Sequence, residues 1–93
     1  MNNKLLKIND RQLSKFIELG FEVTSDTLVL EGLKFFRDKI DIYVKVNVGL
    51  YFVSEIYKFN ETIWHSHGVH SWEDAESLAL NYLLQNYENG VFL

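Results

Sequence analysis

The chain has 93 residues with no cysteine and no proline; it is 47% hydrophobic and 15% aromatic, and its net charge is −4. Such a chain is expected to fold as a single globular domain over 1–93, with enough apolar side chains to build a core without disulfides or a structural metal. No apolar run approaches the roughly 18–20 residues of a membrane span, and the first residues have no signal-peptide pattern, so a cytoplasmic location is expected.

The charge is unevenly distributed. All nine Lys and Arg lie at or before Lys58, set against eight acids, whereas the remainder carries Glu61, Glu73, Asp74, Glu76 and Glu88 with no Lys or Arg. An acidic C-terminal third points to a partner with a basic surface.

In chain order, Asn9 and Gln12 have the spacing of a capping box, and Ile8 and Leu13 that of a hydrophobic staple. Gly20 suits the left-handed residue that ends a helix, with Phe21 folding back on Phe16. A first helix is thus predicted over Asp10 to Leu19, with Leu13, Phe16 and Ile17 as its buried stripe. Phe21 to Val23 reads as a short strand or a packed lead-in, and Thr24-Ser25-Asp26 as a turn. Thr27 to Arg37 is read as one strand kinked at Gly32, with a tight hairpin as the alternative. The single strand is preferred because no primed-turn dipeptide occurs there.

Lys39 to Phe59 reads as the central hairpin. Ile40, Ile42, Val44 and Val46 alternate with Asp41, Tyr43, Lys45 and Asn47, which sends the four aliphatics to one face. Asn47 and Gly49 supply the turn, and Leu50 to Phe59 the aromatic and β-branched second arm. Asn60-Glu61 then connects to a strand over Thr62 to His67. Ser71, followed by Asp74, caps a last helix whose first turn is crowded by Glu73, Asp74 and Glu76, where the helix dipole favours them. Ala75, Leu78, Ala79, Tyr82 and Leu83 form its apolar face, widened by Leu80, Leu84 and Tyr87. Asn89-Gly90 stops it, and the apolar 91–93 tail requires a place to pack. The expected fold is α+β: an antiparallel sheet of about four strands (a meander) with an N-terminal and a C-terminal helix packed on one face, in the order α-β-β-β-β-α.

Four groups of residues bear on function. His65, His67 and His70 are a weak metal candidate, with Glu55 or Glu61 as a further oxygen donor; short spacing and the lack of cysteine favour plain polar surface, so no metal is expected. No nucleophile–base pair, carboxylate pair or phosphate-binding glycine loop is present: Ser66 sits between histidines, but neighbouring strand residues point to opposite faces. No catalytic residue, cofactor or enzymatic activity is therefore expected. Tyr43, Lys45, Tyr51, Val53 and Tyr57, with Trp64 as a further candidate, fall away from the aliphatic face or near its margin. The tyrosines and tryptophan suit a protein interface, and a two-sided core with some residues under loops is the alternative. Lys4, Lys7, Arg11 and Lys15 would form a basic stripe only if the first helix began early, and the Asn9 cap argues for a solvated face instead.

Helix, antiparallel strands, helix is also the layout of double-stranded-RNA-binding domains. The start of the last helix here holds Glu73-Asp74-Glu76 in place of a basic cluster, which would repel phosphate. Direct nucleic-acid binding is not expected. The function anticipated is that of a small acidic binding protein, an inhibitor of a nucleic-acid-handling protein of the immunity-protein or phage anti-nuclease kind. It would occupy a basic surface through Glu61, Glu73, Asp74, Glu76, Tyr43, Tyr51 and Tyr57. The alternatives are a homodimeric accessory protein and, behind it, a nucleic-acid binder or a histidine metal site.

Overall fold

Asn9 opens the first helix as its spacing to Gln12 requires: its Oδ1 accepts from the Gln12 N–H at 2.8 Å, and its own N–H donates to Gln12 Oε1 at 3.0 Å. This helix, α1 (Asp10–Glu18), belongs to a computed structural model that describes residues 6–90; Lys4 and the 91–93 tail lie outside the described residues. Leu19 caps the C-terminus, Gly20 turns left-handed at φ 88°, and the Phe21 N–H closes on the Phe16 carbonyl at 3.0 Å. The rings of Phe16 and Phe21 meet edge to face at 5.4 Å. Nothing lies within 4 Å of where a Gly20 Cβ would stand, so only the backbone conformation demands glycine. Gly20→Val should cost about 1–2 kcal/mol through that conformation alone; an unchanged melting temperature would contradict this.

The buried stripe of α1 is rotated from the expected one. Phe16 is fully buried and Leu13 half-buried, but Ile17 is 59% exposed and Gln12 takes the inward position. The Gln12 amide donates to Ser77 Oγ at 3.0 Å and Asn81 Oδ1 at 2.8 Å on the last helix, so this polar residue is buried with its donors satisfied.

The expected strand over Thr27–Arg37 is instead a helix, α2 (Val29–Ile40). Val29, Leu33, Phe36 and Ile40 recur at helical spacing, and the first three are buried together. Leu28 has no side-chain acceptor for a cap, but Glu31 reaches back to its N–H at 2.8 Å. The preceding segment supplies the rest: the Leu6 carbonyl accepts from the Val29 N–H at 2.8 Å, and Ile8 N–H donates to Thr27 at 2.9 Å. Gly32 is required by packing, because a Cβ there would stand 2.9 Å from Phe16 Cζ. Asp41 ends α2 at φ 58°, donating its N–H to the Arg37 carbonyl at 3.1 Å.

Losing that strand leaves three in the sheet: β1 (Ile42–Val48), β2 (Phe52–Lys58) and β3 (Glu61–His65), antiparallel in the order β1-β2-β3. The central hairpin is thus as expected, but it starts at Ile42 because Ile40 completes α2. Its connection is Gly49–Tyr51, and Gly49 does not use a positive φ. Tyr43 pairs with Tyr57, Lys45 with Glu55 and Val46 with Ser54. The β2–β3 turn is Phe59-Asn60, one residue earlier than anticipated, at φ 54° and 66°. Both left-handed residues suit a primed two-residue hairpin turn, but that turn prefers Asn-Gly, and a bulky residue in its first position costs roughly 1–2 kcal/mol. Ile63 is an extra residue in β3, where the register shifts between Ile56 and Tyr57. After His65 the chain runs on beside β2 without being strand: Ser66 N–H donates to the Ser54 carbonyl at 2.9 Å, and Phe52 and Val69 exchange backbone bonds at 2.8 and 3.0 Å.

The last helix, α3 (Trp72–Glu88), begins as its sequence indicates, with Ser71 Oγ accepting from the Asp74 N–H at 3.0 Å. It and α2 pack against each other and on one face of the sheet; α1 packs chiefly on α3, so α2 takes the place expected for the N-terminal helix. Ala75, Ala79, Leu80, Leu83 and Leu84 of α3 are buried, the last four within one core with Ile42 and Ile56 of the sheet. Phe16, Phe21, Phe35, Phe36 and Tyr87 form an aromatic cluster at one side of it, and Trp64 stacks on Tyr82 at 4.7 Å.

Candidate functional site

The residues expected to bind a partner divide between the two ends of the sheet. Tyr43 and Tyr57 pair beside the β2–β3 turn, and Glu61 follows it opposite Lys58. Tyr51, Glu73, Asp74 and Glu76 lie at the other end, where the β1–β2 turn meets the start of α3. The seven residues of β2 separate the two groups by roughly 20 Å.

The second end is the candidate interface. The return of residues 66–69 along β2 brings α3's first turn beside the β1–β2 turn: Phe52 meets Trp72 with centroids 6.5 Å apart, and Tyr51 meets His70 at 5.5 Å. Gly68 allows that approach, since a Cβ on it would stand 2.7 Å from Tyr51 Cβ. Here the surface is unusually apolar. Leu50 is 95% exposed, and Val48, Tyr51 and Trp72 are about half exposed. Large apolar side chains gathered at a turn serve no core and have the composition of an interface centre.

Acids border this patch. Asp74 is exposed, while Glu73 and Glu76 are half-buried. Burial pushes the Glu76 carboxyl above the ordinary glutamate range; a hydrogen bond from the Trp72 side chain opposes that rise and the Glu73 charge adds to it. The folded pKa therefore exceeds the unfolded one, so ionised Glu76 opposes folding at neutral pH and is relieved as pH falls through the folded value. Glu61, Glu73, Asp74 and Glu76 make no ion pair among the described residues.

The outer sheet face carries a polar set. Tyr57 donates its hydroxyl to Glu55 in a short hydrogen bond, and this bond, with one from Asn47 and then the charges of Lys45 and His65, holds Glu55 below the usual carboxylate range. The same bond raises the Tyr57 hydroxyl.

The histidines do not share a strand face, as β3 ends at His65. His65 Nδ1 lies 3.2 Å from the Ser66 carbonyl, His67 is exposed, and His70 faces Tyr51. Among the described residues no three His, Cys, Asp or Glu side chains gather to hold a metal ion. Ser66 is a buried brace: its Oγ accepts from the Ser54 N–H at 3.0 Å and donates to the His67 carbonyl at 2.8 Å.

Sequence reasoning did not single out Val48, Leu50 and Trp72. The signal was present in Val48-Gly49-Leu50-Tyr51, an apolar run across a turn, where polar residues are the rule. No helix among the described residues is long and apolar enough to cross a membrane. No protein-family model matches the chain, and neither curated proteins nor solved structures give a significant match. Fold and surface together define a small α+β domain with an exposed aromatic–acidic end.

Proposed function

We propose that this is a cytoplasmic binding protein that docks the end formed by Val48, Leu50, Tyr51, Trp72, Glu73, Asp74 and Glu76 onto a basic surface of another protein. The observation that carries this reading is the exposure of Leu50, Tyr51 and Trp72 at the end of the molecule where Glu73, Asp74 and Glu76 stand without an ion pair among the described residues. Aromatic anchors supply the buried centre of an interface, and acids at its rim steer encounter with a positive partner. A basic surface of this kind is found on proteins that handle nucleic acid, and inhibition by occupying it is the role assigned. Catalysis has no part in the proposal.

The test follows from where the charges stand. Glu73→Gln with Glu76→Gln keeps Ser71 and Asp74, and hence the cap, so folding stability should stay within about 0.5 kcal/mol. Association with the partner recovered from the native host should slow several-fold at low salt, and the difference should shrink as salt rises. Association of the double variant at the wild-type rate would refute the acidic interface and leave Glu73 and Asp74, the acids of the first turn, as complements of the helix dipole, worth about 0.3–1 kcal/mol each. The rival reading, a homodimeric accessory protein, draws on the same exposed Leu50 and Trp72; a mass that rises with concentration would favour it.

A further inference from the structure

At the end of the sheet away from the acidic tip lies an open depression of about 450 Å³, lined by Asp41, Tyr43, Tyr57, Phe59 and Asn60. Among the described residues, Asp41, Phe59 and Asn60 are the only non-glycine residues with positive φ, and all three line it. Asp and Asn tolerate that conformation; an exposed phenylalanine does not gain from it. Phe59 is 76% exposed and absent from the core cluster, so packing does not explain why it is held there. Strained residues gathered around one concavity are a mark of a site.

We propose that this depression binds a quaternary or methylated ammonium group. Three rings converge on it with one carboxylate, the combination that suits a weakly hydrated cation: the ring faces supply negative potential without requiring hydrogen-bond donors, and Asp41 supplies the counter-charge. Tyr43 and Tyr57 are direct cross-strand neighbours, and Tyr57 is fixed by its hydroxyl bond to Glu55, so two walls are preorganised. Phe59 already attracts a cation: Lys58 Nζ lies 4.9 Å from its ring centroid. That ammonium is engaged by the Ile40 carbonyl, and Lys58 pairs across the strands with Glu61, so Asp41, Lys58 and Glu61 together leave the locality net negative. A primary ammonium is less suited, because it would give up strong hydration on all sides while the ring faces return no hydrogen bond and acceptors are confined to Asp41, Asn60 and the tyrosine hydroxyls.

The group could be carried by a free choline-like molecule or by a trimethylated lysine on a protein, and one titration distinguishes the two. The unmodified protein is titrated with choline, with Nα-acetyl-trimethyl-lysinamide and with 3,3-dimethylbutanol, the neutral isostere of choline, at constant ionic strength, and read by NMR. Both cations should give saturable shifts confined to residues around Asp41, Tyr43, Tyr57 and Phe59, with N-methyl protons moved upfield by the rings, while the neutral alcohol gives none. Tighter binding of the lysine derivative assigns a protein-borne ligand, and tighter binding of choline a free one. Phe59→Gly removes the ring but accepts the left-handed turn, so its melting temperature should stay level or rise while affinity falls about tenfold. Asp41→Asn should weaken binding several-fold with the helix end preserved. No saturable shift, an equal response to the alcohol, or wild-type affinity in Phe59→Gly would overturn the proposal. It uses none of the residues of the acidic tip, so either reading can fail alone.

Discussion

Phe16→Ala should destabilise the protein by about 3–5 kcal/mol, the range for deleting a fully buried aromatic ring. Phe16 has no exposed surface and lies between the three helices. Its ring meets Phe21 at 5.4 Å, Phe35 at 5.9 Å and Phe36 at 6.1 Å, and its edge rests on Gly32. Truncation removes those contacts and leaves a cavity that three helices cannot close without moving. Marginal domains have about 5–15 kcal/mol in all, so the variant should unfold at markedly lower denaturant. Chemical denaturation measures the loss directly; a value below about 1 kcal/mol would mean that α1 is not anchored by this ring.

The second large effect tests the other side of the same contact. Gly32→Leu should cost about 2–3 kcal/mol even though leucine is the better helix former by nearly 1 kcal/mol. The Cβ alone would approach Phe16 Cζ to 2.9 Å and Leu80 Cδ2 to 3.3 Å, and the remaining side chain has no room in a filled core. In the Phe16→Ala background the same substitution should be much better tolerated, because the vacated ring volume receives it. The two changes should therefore be non-additive by more than about 1 kcal/mol in a double-mutant cycle. Strict additivity would show that ring and glycine are not in contact.

This pair also shows why the sequence misled over Thr27–Arg37. Leu28-Val29-Leu30 and Phe35-Phe36 have strand-like composition, and Gly32 between them resembles a bulge. The glycine instead makes room for a ring sixteen residues earlier, a relation no local pattern expresses. The helical spacing of Val29, Leu33, Phe36 and Ile40 was available, as was Glu31 three residues after Leu28. Leu28 itself could not announce a cap, since its side chain accepts nothing and the Val29 N–H is met by the Leu6 carbonyl of a distant segment. Where caps use side chains, as at Asn9 and Ser71, the helix starts were legible to the residue. Ile17 and Gln12 exchanged places for a related reason: Gln12 is buried only because Ser77 and Asn81 arrive to accept its protons.

Candidate surfaces were legible in part. The charge asymmetry and the outward tyrosines are local facts and stand in the chain for anyone to read. The grouping is not local: Trp72 reaches Phe52 beside the β1–β2 turn only because residues 66–69 return along β2, and Asp41 joins Phe59 only because β1 and β2 are in register. Phe59 had looked like the last residue of a strand, whereas the turn takes it one step earlier than Asn60-Glu61 would have.

The extra residue at Ile63 bears on what happens when many copies meet. Of the two outer strands, β1 is regular along seven residues, while β3 is short, interrupted at Ile63 and bounded by Glu61 and His65 as its end residues. Fibrillar growth by main-chain addition needs a receptive border on each side of every molecule. Among the described residues the sheet presents one regular border, β1, so strand-to-strand addition between copies is expected to stop at a pair instead of extending into a filament.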